Sequence, residues 1–491
     1  MSGIAGVLSP NNQQIVSIIL NNITHRGTSS PKIWKSPNAA LGAIGLSSLN
    51  EEPGPVITCN GKQAVVMDGS IGNQHILDMV SEFNNDSVDT STDRMLHDYT
   101  ALVANIFGLI PGKFALAIAG ENQFILARDR LGIQPLYYGF YDGALCFTSE
   151  IKGLLGIVDE IREFPPGHFM LSDKGIYPYK PYTPKPVQID GPVDSSEIFA
   201  GHLRSAVRKA IPKGAAVGVW LSGGVDSSVI AALARPYVDR LYTFSAGVEG
   251  APDLEYARKV AQHIDSEHHE RIYNLAEMLD VLEKTIYHLE SFDAPLVNSA
   301  VSNYLVSELA ADHVPFVFSG EGGDELLAGY AYQKTYTSDL QLTLSIQEAI
   351  AALHNTALQR VDRSATAHSI GVDTPFLDSD VVCYSLAIPS HWKIHGSDMV
   401  DKWPLRNGFA DILPEEVVWR DKSKFWEGSG TGAILAKHAE GEISDQEFNR
   451  YRTLENGSNL RSKEELMYYR IFKQSFKDSI PLNEVGRTQH I

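Results

Sequence analysis

The sequence predicts a two-part molecule, a strand-rich N-terminal domain followed by an α/β domain built on a parallel sheet. Three observations carry the prediction. A chain of 491 residues is too long for one hydrophobic core and implies two to four domains. Its N-terminal third consists of short apolar runs separated by Gly, Asn and Asp breakers. Beyond about residue 195, apolar strands alternate with amphipathic helices, the signature of βα units around a parallel sheet.

Taken in order, residues 114–119, 123–127 and 144–148 read as strands of the first domain. The stretch 176–193 is rich in proline and tyrosine and reads as an extended linker or as the packed edge of either domain. Residues 196–210 have helical apolar spacing. Residues 216–221 form a short apolar strand, SGGVDSS is a turn, and 229–233 lies in the helix it opens. A second strand follows at 241–246 and a second amphipathic helix at 254–263. From Asp339 onward the chain reads as mostly helical, with loops at 373–380 and 421–432. The expected boundaries are 1–185, a linker at 186–195, and 196–491.

Composition narrows the function classes. Hydrophobic residues make up 43% and charged residues 21%, which excludes collagenous, disordered and disulfide-scaffold chains. With 41 Lys+Arg against 60 Asp+Glu the net charge is −19. That sign repels phosphate backbones and anionic lipid, so neither nucleic acid nor a membrane surface is the expected partner. Cys59, Cys146 and Cys383 are far apart and lack metal-ligand spacing, which fits a reducing, cytoplasmic compartment. The sequence carries no signal-peptide pattern and no run of about 18 apolar residues.

The sharpest motif is Ser222-Gly223-Gly224-Val225-Asp226-Ser227-Ser228, directly after a buried strand and opening a helix. Backbone N–H groups and a helix N-terminus converge there, which suits a pyrophosphate. Two glycines allow close approach of the backbone, and the hydroxyls add donors. Asp226 would repel phosphate unless it held Mg²⁺ against it. A capped strand–helix turn also uses Gly and Ser, but the whole string after a buried strand is far more specific than SGG alone. A second strand meets a Gly-rich turn at Ser319-Gly320-Glu321-Gly322-Gly323-Asp324-Glu325. Its three carboxylates repel one another unless they share a cation or one is protonated.

The first string resembles the PP-loop of ATP pyrophosphatases, and the two together resemble asparagine synthetase and its relatives, with SGGxDSS and SGEGxDE. Further matching stretches are His25-Arg26-Gly27, the run from Ala127 to Tyr137, Thr148 to Lys152, Pro252-Asp253-Leu254, Pro375 to Asp378 and Trp419-Arg420-Asp421-Lys422. The resemblance covers essentially the whole chain. It implies an α+β N-terminal Ntn-hydrolase-like domain, an αββα sandwich, followed by an α/β ATP pyrophosphatase domain with a parallel sheet. It also implies ATP and Mg²⁺ as cofactors and small acid and amine substrates. Dimers are common in the family, so a homodimer is an expectation of the same kind.

Roles carry over position by position. Asp226 and Asp324 match the Mg²⁺ ligands, and Ser222, Gly223, Gly224, Ser227 and Ser228 the phosphate cradle. Leu221, Ser245 and Gly320 join them as nucleotide-contacting positions. Lys422 resembles the lysine that neutralises pyrophosphate, although alone it would read as a surface lysine. Glu321 resembles the glutamate beside the acyl-adenylate, a candidate to take a proton from the attacking amine.

The chain departs from the family in its N-terminal pocket. The family's nucleophilic cysteine after the initiator methionine is Ser2 here. Gly45 stands where an arginine grips the glutamine carboxylate, a bidentate clamp that glycine cannot supply. Asp68-Gly69-Ser70 replaces NGE, which puts a carboxylate where an oxyanion needs donors. The acidic pair that binds the substrate amine aligns with Ser91-Thr92-Asp93-Arg94, or leaves Asp93 as a survivor if the register slips by one. These losses predict a pseudo-glutaminase joined to a working adenylating domain. By default the product is asparagine from aspartate and ammonia.

Relatives lacking the cysteine include β-lactam synthetases and lasso-peptide cyclases. Glu321, in place of the tyrosine typical of the β-lactam branch, favours an external amine. Gly371 and Asp373 stand where the family has Glu and Arg, so the acid substrate is open, unless that loop is purely structural. Two other readings are a silent ATP-binding regulator and an RNA-modifying PP-loop enzyme. The retained acidic residues with Lys422 weigh against the first, and the acidic net charge weighs against the second.

Overall fold

In the computed structural model the chain forms two compact units, Met1–Thr183 with Ser479–Glu484, and Pro184–Asp478 with Val485–Ile491. The structure describes residues 2–9, 13–46, 56–57, 63–70, 93–120, 124–172, 175–183, 189–421, 425–477 and 479–488. The side chains of 56–57, 70, 93–99 and 425 lie outside that description.

The first unit stacks two six-stranded antiparallel sheets. One runs Arg162–Glu163, Tyr137–Tyr141, Ala144–Thr148, Ser2–Leu8, Ala40–Gly45, Lys32–Lys35. The other runs Ile176–Pro178, His168–Leu171, Phe124–Arg128, Lys113–Ala119, Ala64–Ser70, Val56–Ile57. Strand Lys113–Ala119 shows how the sequence specifies the layers. Its alanines 115, 117 and 119 face the inter-sheet core with Ile4, Leu126 and Phe147. Phe114, Leu116 and Ile118 face the opposite core, under Val103 and Phe107 of helix Asp93–Leu109. The period of two sorts small residues to one face and large ones to the other. Helix Ile15–Asn22 buries Ile15, Val16, Ile19 and Leu20 against the outer face of the first sheet. The order is helix, sheet, sheet, helix, the αββα sandwich the resemblance implies.

The proline-rich stretch begins as an edge strand, Ile176–Pro178, paired with His168–Leu171. Of the two readings of that stretch, its first part is therefore the packed edge of the first unit. The next helix spans Pro192–Ala210 and so starts four residues before the apolar spacing indicates, inside the expected linker. Pro192 pre-sets the first turn, Asp194 lies at its positive end, and the Ser195 and Ser196 hydroxyls both donate to the Pro192 carbonyl.

The second unit holds a five-stranded parallel sheet in the order Glu267–Ile272, Leu241–Gly247, Val217–Trp220, Phe316–Phe318, Gly371–Asp373. The chain builds outward from the central strand in one direction and then continues on its other side. That reversal lies between Val217–Trp220 and Phe316–Phe318, and a crevice opens there at the strands' C-terminal ends, the usual ligand position in such sheets. The expected loop at 373–380 is a bonded segment: Gly371–Asp373 is the edge strand, and Asp378 caps helix Ser379–Ala387 by accepting from the Asp380 N–H. In the other expected loop, helices occupy Phe425–Gly428 and start again at Thr431. Among the described residues, no helix is long and apolar enough to cross a membrane.

Candidate active site

Both Gly-rich motifs lie at this reversal point. The turn after Trp220 is fixed by Leu221, whose N–H donates to the Phe244 carbonyl at 2.8 Å and whose carbonyl accepts from Ser245 Oγ at 2.5 Å. Gly223 has φ of +72°, and a Cβ there would stand 2.6 Å from Tyr256 Cβ and 2.7 Å from the Ala257 nitrogen. Only glycine satisfies both constraints. Ser227 Oγ accepts from the Ser222 N–H at 3.1 Å and lies 3.0 Å from Ser222 Oγ. Ser228 Oγ donates to the Gly224 carbonyl at 2.7 Å.

Leu221, Ser222, Asp226, Ser227 and Ser245 line a cleft of about 710 Å³, its open mouth included, together with Gly320, Glu321 and Asp324 of the second motif. Gly223, Gly224 and Ser228 do not line it; their part is to hold the turn. The two loops touch. A Cβ on Gly320 would come within 2.8 Å of the Ser227 nitrogen, and one on Gly323 would strike Asp226 Oδ1.

Each carboxylate of the second motif has its own partner. Asp324 lies 2.6 Å from Lys402 Nζ, which also pairs with Asp226. Lys402 is buried and sits at φ +53°, at the start of helix Trp403–Gly408. Glu325 is buried, accepts from the Tyr330 hydroxyl, and is pushed up to about 7 by burial and by neighbouring Asp324. Glu321 pairs with Arg360, which also donates to Asn303 Oδ1. Burial lowers the Arg360 guanidinium to about 10, which leaves it a cation at neutral pH. The crowding evident in the sequence is thus relieved by two cations and one poorly ionised acid.

Arg420 braces the first loop from outside. It pairs with Asp253 at 2.7 Å, donates to the Gly223 carbonyl at 3.3 Å, and stacks 4.1 Å over the Tyr256 ring. Lys422 lies outside the described residues. The chain beyond it is anchored by a buried group of hydroxyls: Thr431 Oγ1 lies 2.7 Å from Tyr273 Oη, 2.8 Å from Ser302 Oγ and 3.0 Å from Ser429 Oγ.

Gly371 and Asp373 act through their backbone. The Gly371 N–H donates to the Pro315 carbonyl at 2.9 Å, and the Asp373 carbonyl accepts from the Ser319 N–H at 2.9 Å. The segment that departs from the family therefore carries the strand that supports the second motif.

Lys402, Arg360, Asn303 and Arg420 are the site residues the sequence did not single out. Arg420 stood next to a recognised lysine. Arg360 lies in helix Ala357–Thr366, where Gln359, Arg360, Asp362 and Arg363 are all buried, although the amphipathic spacing of the helix reads as a polar face turned to solvent.

The N-terminal pocket is built on Ser2–Leu8 and Ala64–Ser70. Asp68 is fully buried. Its Oδ1 accepts from the Ser2 N–H at 2.8 Å and from Ser2 Oγ at 3.2 Å, and its Oδ2 accepts from Arg26 at 3.0 Å. Arg26 also pairs with Glu150 at 2.8 Å, and Glu150 takes His25 at 2.9 Å and Lys152 at 2.5 Å. Gly45 pairs in register with Ser2 and brings no cation. Ser91 and Thr92 lie outside the described residues, as do the side chains of Asp93, Arg94 and Ser70.

The model of the asparagine synthase family matches residues 199–349 and 341–487, and that of the glutamine amidotransferase domain matches residues 1–163. The glutamine-hydrolyzing asparagine synthetase 2 of Arabidopsis thaliana is 31% identical over 442 residues, 85% of this chain and 76% of the relative. The probable asparagine synthetase of Dictyostelium discoideum is 29% identical, covering 95% of this chain and 91% of the relative. Asparagine synthetase B of Escherichia coli K12 is 29% identical, covering 92% and 86%.

Proposed function

The chain belongs to the asparagine synthetase family of ATP-dependent carbon–nitrogen ligases, and on that premise we propose that it adenylates a carboxylic acid, aspartate by default, and couples it to ammonia or a small amine without hydrolysing glutamine. The observation that carries the ligase half is the meeting of Asp226, Asp324, Glu321 and the Ser222–Ser227 turn in one cleft. The serine hydroxyls and the turn's N–H groups receive the phosphates. Leu221, Ser245 and Gly320 shape the nucleotide's wall, and Gly223, Gly224 and Ser228 keep the turn in place.

The donor set fits Mg²⁺. Asp226 and Asp324 offer hard oxygens, and the buried Asp226 Oδ1 has no hydrogen-bond partner. No cluster of three or more metal-ligating side chains occurs among the described residues, as expected of an ion that takes one or two carboxylates and completes its shell with phosphate and water. Mg²⁺ bound there would neutralise charge on the departing pyrophosphate. The acid's carboxylate oxygen attacks the α-phosphorus and pyrophosphate leaves; the amine then attacks the acyl carbon and AMP leaves. Glu321, which pairs with Arg360, accepts the amine's proton. Lys422 adds charge at the pyrophosphate. A homodimer in a cytoplasmic setting completes the proposal.

The N-terminal unit is proposed to be a pseudo-glutaminase. Asp68 faces Ser2 with a negative charge where an oxyanion would form, so the pocket opposes the intermediate it would have to stabilise. The relatives are named glutamine-hydrolyzing, and the proposal separates this chain from them on Ser2, Asp68 and Gly45. It is tested with purified protein, ATP, Mg²⁺ and a panel of acids headed by aspartate. Amine-dependent release of AMP and pyrophosphate is expected. Absence of release with every acid would overturn the ligase reading.

A further inference from the structure

We propose that Lys402 is the resident cation of the carboxylate pair, so that a divalent metal enters with the nucleotide and not before it. The inference rests on the proposed assignment of Asp226 and Asp324 as metal ligands. Lys402 is brought across 176 positions of sequence to contact Asp226 and places Nζ 2.6 Å from Asp324. Its side chain is 1% exposed. A Cβ on Gly329 would strike both Lys402 Cε and Asp324 Oδ1, so backbone closes one side of the triad and the ammonium has little room to leave that way.

The charges explain the coupling. Two carboxylates and one ammonium sum to −1. A divalent ion arriving alone would meet the ammonium inside the same pair, with Asp226 Oδ2 and Asp324 Oδ1 already engaged by it. The phosphates of ATP bring both oxygen ligands and enough negative charge to accommodate the two cations together. Metal and nucleotide affinities are therefore coupled positively, and by linkage the coupling is reciprocal. Lys402 also joins the two loops before any ligand binds, which keeps the metal ligands in register in its absence.

The test is Mn²⁺ binding to the full-length protein, read by electron paramagnetic resonance, with and without α,β-methylene-ATP, whose α–β linkage cannot be cleaved. Wild type is expected to bind Mn²⁺ weakly alone and at least about tenfold tighter with the analogue, within the usual range of coupling. Lys402→Met is expected to bind nucleotide-free Mn²⁺ about tenfold or more tighter than wild type, and Mn²⁺ should raise its melting temperature more. Lys402→Arg, which keeps the positive charge, should show no gain in nucleotide-free Mn²⁺ affinity over wild type. Nucleotide-free Mn²⁺ affinity in Lys402→Met no tighter than in wild type would overturn the proposal. If that variant does not fold, wild type alone decides, because equal Mn²⁺ affinity with and without bound analogue also overturns it. Failure of the analogue to bind at all would count against the ATP-dependent reading, and the nucleotide-free comparison would still judge Lys402.

Discussion

The Ser2 N–H donates to Asp68 Oδ1 at 2.8 Å, and the Ser2 hydroxyl donates to the same oxygen at 3.2 Å. On the proposed reading, this ties the residue in the nucleophile's place to a carboxylate in the place of an oxyanion donor. Arg26, at 3.0 Å from Asp68 and 2.8 Å from Glu150, completes a buried ion network. Removing one member of it would leave a buried charge unpaired, a loss of about 3–5 kcal/mol.

Ser2→Cys should therefore leave glutamine hydrolysis at background. The added thiol restores the nucleophile but neither the missing donors nor the carboxylate clamp. Glutamate release is measured by coupled assay. Its appearance in this single variant would mean that the pocket is intact.

Asp324→Asn should lower pyrophosphate release by about a hundredfold or more, the scale of losing a transition-state electrostatic contact. Lys402 keeps its partner Asp226, so circular dichroism should be unchanged and the melting temperature should fall by only a few degrees. Undiminished turnover would remove Asp324 from the metal site.

Arg420→Ala should raise the KM for ATP by about tenfold, because Asp253 and the Gly223 carbonyl lose their shared donor. Arg420→Lys should recover little, since lysine cannot combine the paired contacts with stacking on Tyr256. Steady-state kinetics with varied ATP checks both; wild-type KM in Arg420→Ala would show that the brace is dispensable.

The pH dependence of stability contains a separable contribution from Glu464, which is buried beside Tyr468 and pushed up to about 7 by that burial. An acid whose folded pKa lies above its unfolded value holds more protons in the folded state between the two. Stability from this group is present below about pH 4.5 and is lost as pH rises through about 7. Glu464→Gln should be about 1–3 kcal/mol more stable than wild type at pH 8 and indistinguishable from it near pH 4.5. Thermal melts at the two pH values decide; an equal difference at both would place the effect elsewhere.

The strands at 114–119, 123–127, 144–148, 216–221 and 241–246 and the two Gly-rich turns were legible because apolar runs bounded by glycine have a local cause. Alternation along Lys113–Ala119 reports two faces, and SGGVDSS reports a turn whose backbone must approach something closely. Contacts made across the fold were not legible. Lys402 reaches Asp226 only because helix Trp403–Gly408 packs near the switch point, and DKWPLR carries no pattern that says so. Arg360 reaches Glu321 from a helix buried all around, where charge and periodicity part company. Strand Gly371–Asp373 is three residues long, too short for alternation to register. The departures Ser2, Gly45 and Asp68 were readable as losses, but the ion network that fills the pocket required the fold.

The account joins a silent glutaminase unit to a working ligase, and one comparison tests that directly. Amide formation is followed with the acid that best supports AMP release, using ammonium or glutamine as the nitrogen source at matched concentration. The account predicts product with ammonium, and with glutamine neither product nor glutamate above background. Product formed with glutamine, with glutamate released in equal amount, would contradict it.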